Sequence, residues 1–156
     1  MFAGVLNMNH PPFIHRRKVL QAGLAMGASL CLPSARACEF FTTTLRVTHP
    51  WTRATPEGAT SAIVCMRIDQ VRKTDRLIGV ETPVAEGAEM AGLGARPGVN
   101  LLLLQGQETI LGETGLQLRL IGLKQPLMIA TTHPMRLIFE QGGVLESELN
   151  IDYMPV

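Results

Sequence analysis

Near the end of the chain, Leu145, Ser147, Leu149, Ile151 and Tyr153 alternate with Glu146, Glu148, Asn150 and Asp152. A period of two sends successive side chains to opposite faces, so this stretch is predicted to fold as a strand with one face covered. The same period recurs at Met135, Leu137 and Phe139 against Arg136 and Glu140, and at Leu116, Leu118 and Leu120 against Gln117 and Arg119. Gln141-Gly142-Gly143 between two of these runs supplies a hairpin turn whose glycines tolerate positive φ. Further strands are predicted at Leu45 to Val47, Ser61 to Ile68, Leu77 to Glu81 and Asn100 to Leu104. Turn signals separate them at Pro56-Glu57-Gly58, Lys73-Thr74-Asp75 and Arg96-Pro97-Gly98. About seven short strands and no sustained helical period predict an all-β antiparallel sandwich or barrel.

The N-terminal stretch reads differently. Arg16 and Arg17 precede an apolar run about half the length of a membrane span, which needs ~20 apolar residues. The run ends in Pro33-Ser34-Ala35-Arg36-Ala37, a small-x-small cleavage pattern. Residues 1–37 are therefore expected to be an export signal of the twin-arginine type, and 38–156 a single periplasmic domain. That route carries folded cargo, either because a cofactor is inside or because the domain folds too fast for the unfolded route. Cys38 raises lipidation as an alternative, but Ala35-Arg36-Ala37 is a poor lipobox, and plain cleavage is the expectation.

Removing 37 of 156 residues leaves 119, enough for one domain with its own core. Four of the 14 basic residues (Arg16, Arg17, Lys18, Arg36) go with the signal, leaving ten against 13 acidic ones, a net charge near −3. That balance argues against a nucleic-acid partner, because the basic cluster belongs to the signal. Cys38 and Cys65 remain in a compartment that permits a disulfide, and both a bridge and a pair of free thiols stay open. The oligomeric state is likewise open.

No catalytic constellation stands out. Ser61 and Ser147 sit in strand patterns, Gly92-Leu93-Gly94 lacks the lysine of a phosphate loop, and only His49 and His133 follow the signal. The chain is not expected to be an enzyme. His133-Pro134-Met135 places imidazole and thioether two residues apart, on one face of an extended segment, a pairing suited to Cu(I). Equally, Met135 begins the core alternation with Leu137 and Phe139, and His133 caps a turn.

Three segments, in order, resemble a known family. His49-Pro50-Trp51-Thr52-Arg53-Ala54-Thr55-Pro56-Glu57-Gly58-Ala59 is similar to the "HPWARATPPGA" opening of PCu(A)C periplasmic copper chaperones. Asp75 to Val80 with Thr82 to Glu86 resembles "DRLVGASSPVAE", and Ile121 to Leu127 resembles "MGLKRPL". The resemblance implies a cupredoxin-like Greek-key β-sandwich that binds Cu(I) through histidines and methionines, with a partner in copper or oxidase assembly. It also implies that the ligands are gone. The family's "HEM" histidine and methionine positions are Ala91 and Leu93, its next methionines fall near Asn100 and Leu102, and its "YHLML" ligands are Gln117 and Arg119. Trp51 and Arg53 are expected in scaffold roles, Met90 as core. No copper is expected at the family site, and the expected role is an accessory, partner-binding one. A rebuilt Cu(I) site around His133 and Met135, with His49 or Met90, is the alternative.

Overall fold

The structure, a computed structural model, describes residues 38–154. The predicted signal, with Arg16 and Arg17, lies outside the described residues. Every regular element among the described residues is a strand: β1 (Glu39–Phe41), β2 (Arg46–Arg53), β3 (Ser61–Asp69), β4 (Asp75–Glu81), β5 (Ala85–Gly92), β6 (Leu101–Leu103), β7 (Thr109–Leu111), β8 (Leu116–Leu123), β9 (Thr132–Phe139) and β10 (Gly143–Tyr153). Their order in the sheet is β5-β8-β3-β2-β10-β9-β4-β6, with β1 on β2 and β7 on β3. The short connection 82–84 between β4 and β5 draws the ends of this path together into a nearly closed barrel. Among the described residues no helix is long and apolar enough to cross a membrane.

The all-β expectation holds, and eight of the nine strand pairings are antiparallel as expected. The exception joins β2 to β10 in parallel, with Asn150 opposite Trp51 and Ile151 opposite Thr52. The sequence pattern ended the first long strand at Val47, yet β2 runs to Arg53 through His49-Pro50. A bulge makes this possible. The register with β3 shifts between Thr48 and Trp51, and His49 takes φ +47°. Proline lacks an N–H for the ladder and is tolerated at such an irregularity. The Pro50 carbonyl instead accepts from Asn150 Nδ2 at 3.1 Å.

The inward positions follow the alternation. Val64, Ile68, Leu77, Leu118, Leu120, Met135, Leu137, Leu149 and Ile151 are fully buried in one core. Each full-sized side chain of this kind contributes roughly 1.5–3 kcal/mol by leaving water. Met90 joins that core, as its strand position requires.

One buried carboxylate fastens the hairpin to the rest. Asp75, at the start of β4, accepts from the backbone N–H of Arg76 (2.7 Å), Gln141 (2.8 Å) and Gly142 (2.8 Å), and from Thr44 Oγ1 at 2.7 Å. Gly143 adopts φ +75°, as the turn requires, but Gly142 is needed for space. A Cβ on Gly142 would lie 2.7 Å from Thr44 Oγ1 and 3.0 Å from Asp75 Oδ2. Burial pushes the Asp75 carboxyl up, but its backbone and hydroxyl donors outweigh that and hold it below its ordinary value. The stability it contributes is therefore present above the unfolded pKa of about 3.9 and is lost as pH falls through the lower folded value. Asp75→Asn is expected to lower stability by about 1.5–3 kcal/mol near neutral pH. Urea unfolding should show the gap to the parent narrowing below about pH 4; a gap independent of pH would contradict this account.

Candidate functional site

The outer face of β5 and β8 brings together four of the positions that the sequence resemblance assigned to ligands, Ala91, Leu93, Gln117 and Arg119. In the β5–β8 ladder Ala91 stands opposite Gln117, and Glu89 opposite Arg119. Met90 and Leu118, the intervening pair, turn inward and are buried. Leu93 lies one residue beyond β5, at a turn where it is 86% exposed. That turn is tight because Gly92 (φ +82°) passes so close to Gly115 that a Cβ would fall 1.9 Å from its carbonyl oxygen.

Arg119 has an acidic partner. Its Nε donates to Glu89 Oε1 at 3.0 Å, and Nη2 lies 2.8 Å from the same oxygen. Gln117 donates through Nε2 to the carbonyl of Glu113. The Glu113 carboxylate in turn receives both Nε and Nη2 of Arg53, which hold it below the usual carboxylate range. Arg53 sits 5.5 Å above the Tyr153 ring, and Tyr153 meets Trp51 edge-on with centroids 4.6 Å apart. Thus Trp51 is half-buried in an aromatic pair, and Arg53 is paired with an acid.

Register extends this face across the sheet. Ile63 stands opposite Arg119 in the β3–β8 ladder, and Cys65 opposite Trp51 in the β2–β3 ladder. Cys65 is buried under the outer face, and an open cleft of about 630 Å³ above it is walled by His49, Trp51, Glu113 and Thr114. Burial first, and the Glu113 charge second, push the Cys65 thiol up to about 11, despite Arg53. Both Cys38 and Cys65 are free thiols.

The alternative ligand pair is divided by depth. His133 and Met135 do share a face of β9, but Met135 is fully enclosed in the core. His133 is half-buried at the rim, with Nε2 3.3 Å from Thr131 Oγ1. His49 lies on β2 with Nε2 2.9 Å from Asp152 Oδ2. Among the described residues no group of three or more His, Cys, Asp or Glu is placed to hold a metal ion. Sequence reasoning passed over Glu89 and Glu113. Glu89 was within reach, since it shares the strand parity of Ala91; Glu113 needed the tertiary fold.

The family described as putative lipoprotein LpqE-like matches residues 45–151. The chain belongs to the LpqE-like family. Among solved structures, the copper-bound PCuAC domain from PmoF2 has a TM-score of 0.68 at 22% identity, covering 74% of this chain and 97% of that one. The apo PCuAC domain from PmoF1 gives 0.67 at 26% identity, covering 74% and 98%. The solution structure of CuI-DR1885 from Deinococcus radiodurans gives 0.55 at 20%, covering 66% and 74%. No curated protein matches the chain. The LpqE-like chain therefore has the fold of PCuAC domains, as the sequence resemblance implied.

Thiol chemistry offers a check on this face of the LpqE-like chain. A thiol with a pKa near 11, 4% exposed, presents little thiolate near neutral pH. In the native chain, an aromatic disulfide reagent followed by mass mapping should label Cys38 well before Cys65. Cys65 should react only on unfolding; labelling both at one rate would refute the packing described.

Proposed function

We propose that this LpqE-like chain is an exported accessory protein of copper or oxidase metabolism that lacks the usual Cu(I) ligand set. It recognises a protein partner through the outer face of β5 and β8. The observation that carries the reading is the Arg119–Glu89 ion pair beside the Ala91–Gln117 pair. Alanine and leucine offer no donor atom, and the glutamine amide oxygen is a hard ligand poorly matched to Cu(I). Arginine keeps a fixed positive charge where a cation would sit. These side chains do not fit a copper ion at the positions the resemblance assigns to ligands. The role is non-catalytic, in keeping with the family.

A polar, half-exposed ion pair suits recognition better than stability, since exposed pairs contribute only about 0–1 kcal/mol to folding. A partner with a carboxylate facing Arg119 would compete with Glu89 for the guanidinium, giving orientation and salt sensitivity.

The copper-bound state of the PmoF2 domain keeps copper as the alternative cargo, through a site rebuilt at His133 and Met135. Titration of the chain with Cu(I) against a competing chromophoric chelator separates the two readings. The expected outcome is no stoichiometric Cu(I) retention, with unchanged behaviour in His133→Ala. Arg119→Glu should weaken the partner contact by about tenfold while leaving the fold intact. Tight one-to-one Cu(I) binding that His133→Ala abolishes would replace this reading with a working chaperone.

The family's description as putative lipoproteins supports a second reading of Cys38, as the lipid-bearing first residue of the exported protein. The intact mass of the exported chain decides: plain cleavage after Ala37 is expected, and an added diacylglyceryl mass would reverse that expectation.

A further inference from the structure

A second recessed site lies away from the Arg119–Glu89 pair. Residues 94–96, together with residues of β4, β5, β6 and the start of β8, line a cleft of about 340 Å³. Met90, Leu101 and Leu116 give it apolar walls, while Arg76, Arg96 and Asn100 bring nitrogen donors to it. No carboxylate lines it.

That lining is unusual for this molecule. After the signal the chain carries ten basic against 13 acidic residues, and most of its arginines are neutralised nearby. Arg46, Arg53, Arg119 and Arg136 each have a carboxylate oxygen within 3.0 Å, and Arg67 has one at 3.6 Å. Among the described residues Arg96 and Arg72 make no ion pair, and Arg76 makes the longest, 3.8 Å to Glu140. Arg76 Nη1 donates to Asn100 Oδ1, which turns the Asn100 carbonyl oxygen toward the guanidinium and leaves its amide N–H groups as donors. The least-neutralised guanidinium of an ion pair and an unpaired one thus line the same small cleft.

We propose that this cleft binds a small organic monoanion, a carboxylate carrying a short apolar chain. The planar forks of Arg76 and Arg96 match a carboxylate bidentately, and the methionine and leucine walls take the chain. Inorganic phosphate would satisfy the arginines but leave the apolar walls wet. A cation is repelled. The volume sits at the small end of ligand pockets, which run from about 300 to 1,000 Å³. The proposal goes beyond the partner reading and does not depend on copper.

The test uses the full chain, ¹⁵N-labelled and titrated with hexanoate, with hexanol and inorganic phosphate as parallel probes. Hexanoate should give saturable amide shifts at Met90, Ala95, Arg96 and Leu101, with hexanol and phosphate giving none that saturate there. Arg96→Gln should raise the hexanoate Kd by about tenfold, as expected for loss of a charge-assisted hydrogen bond, and leave the rest of the spectrum in place. Arg76→Gln should do the same, and Arg72→Gln, which lines a separate cleft, should change nothing. The proposal is overturned if hexanol saturates the same amides equally, if phosphate alone does so, or if Arg96→Gln leaves the hexanoate Kd unchanged.

Discussion

The parallel pairing of β2 with β10 is the contact on which the remainder of the sheet depends. On one side of it lie β5, β8 and β3, on the other β9, β4 and β6, and nothing else in the strand order joins the two groups along the ladder. The pairing covers only Trp51 to Arg53 against Asn150 to Tyr153. It is reinforced by side-chain and loop hydrogen bonds: Asn150 Nδ2 to the Pro50 carbonyl, and Ala54 N–H to the Tyr153 carbonyl. A parallel pair needs a long crossover between its strands. Here everything from β3 to β9 serves as that crossover.

The same junction sets the chemistry of the outer surface. Arg53 reaches Glu113 only because β2 is held beside β3 and the loop that precedes β8, and Tyr153 lies under Arg53 only because β10 ends there. Glu113 in turn takes Gln117 through its backbone carbonyl. The outer surface of β5 and β8 is thus a run of satisfied polar groups. Arg119 and Glu89 neutralise each other, and Ala91 stands opposite Gln117 in the ladder between β5 and β8. Inward positions carry the burial and outward ones the ion pairs, so an outward set of this kind can vary without loss of the fold.

The strands with strict alternation were legible from sequence because one face of each is buried, and a slip of one residue would invert every side chain. β8, β9 and β10 are of this kind. β1 and β7 have three residues each, too few for a period to show. β5 is built of alanine, glycine, glutamate and a single methionine, poor strand formers, and is held by its ladder to β8 rather than by its own preference. Pro50 hid the second half of β2 because a bulge, a tertiary accommodation, absorbs it. For the candidate site, the positions Ala91, Gln117 and Arg119 were readable through family resemblance, whereas the partners of Gln117 and Arg119 were not. Strand parity puts Glu89 on the face of Ala91, but that it meets Arg119, 30 residues on, is set by the β5–β8 register; Glu113, whose carbonyl takes Gln117, is fixed by Arg53 from 60 residues away.

Closure by β2 and β10 also bears on the timing of folding. Asn150 meets Trp51 across about a hundred residues of chain, and that loop must be closed before the contact gives anything back. Sheets dominated by such distant pairings fold in milliseconds to seconds rather than microseconds. A pairing of this span therefore favours slow folding over rapid, and the sheet stays open along that seam until β2 and β10 have met.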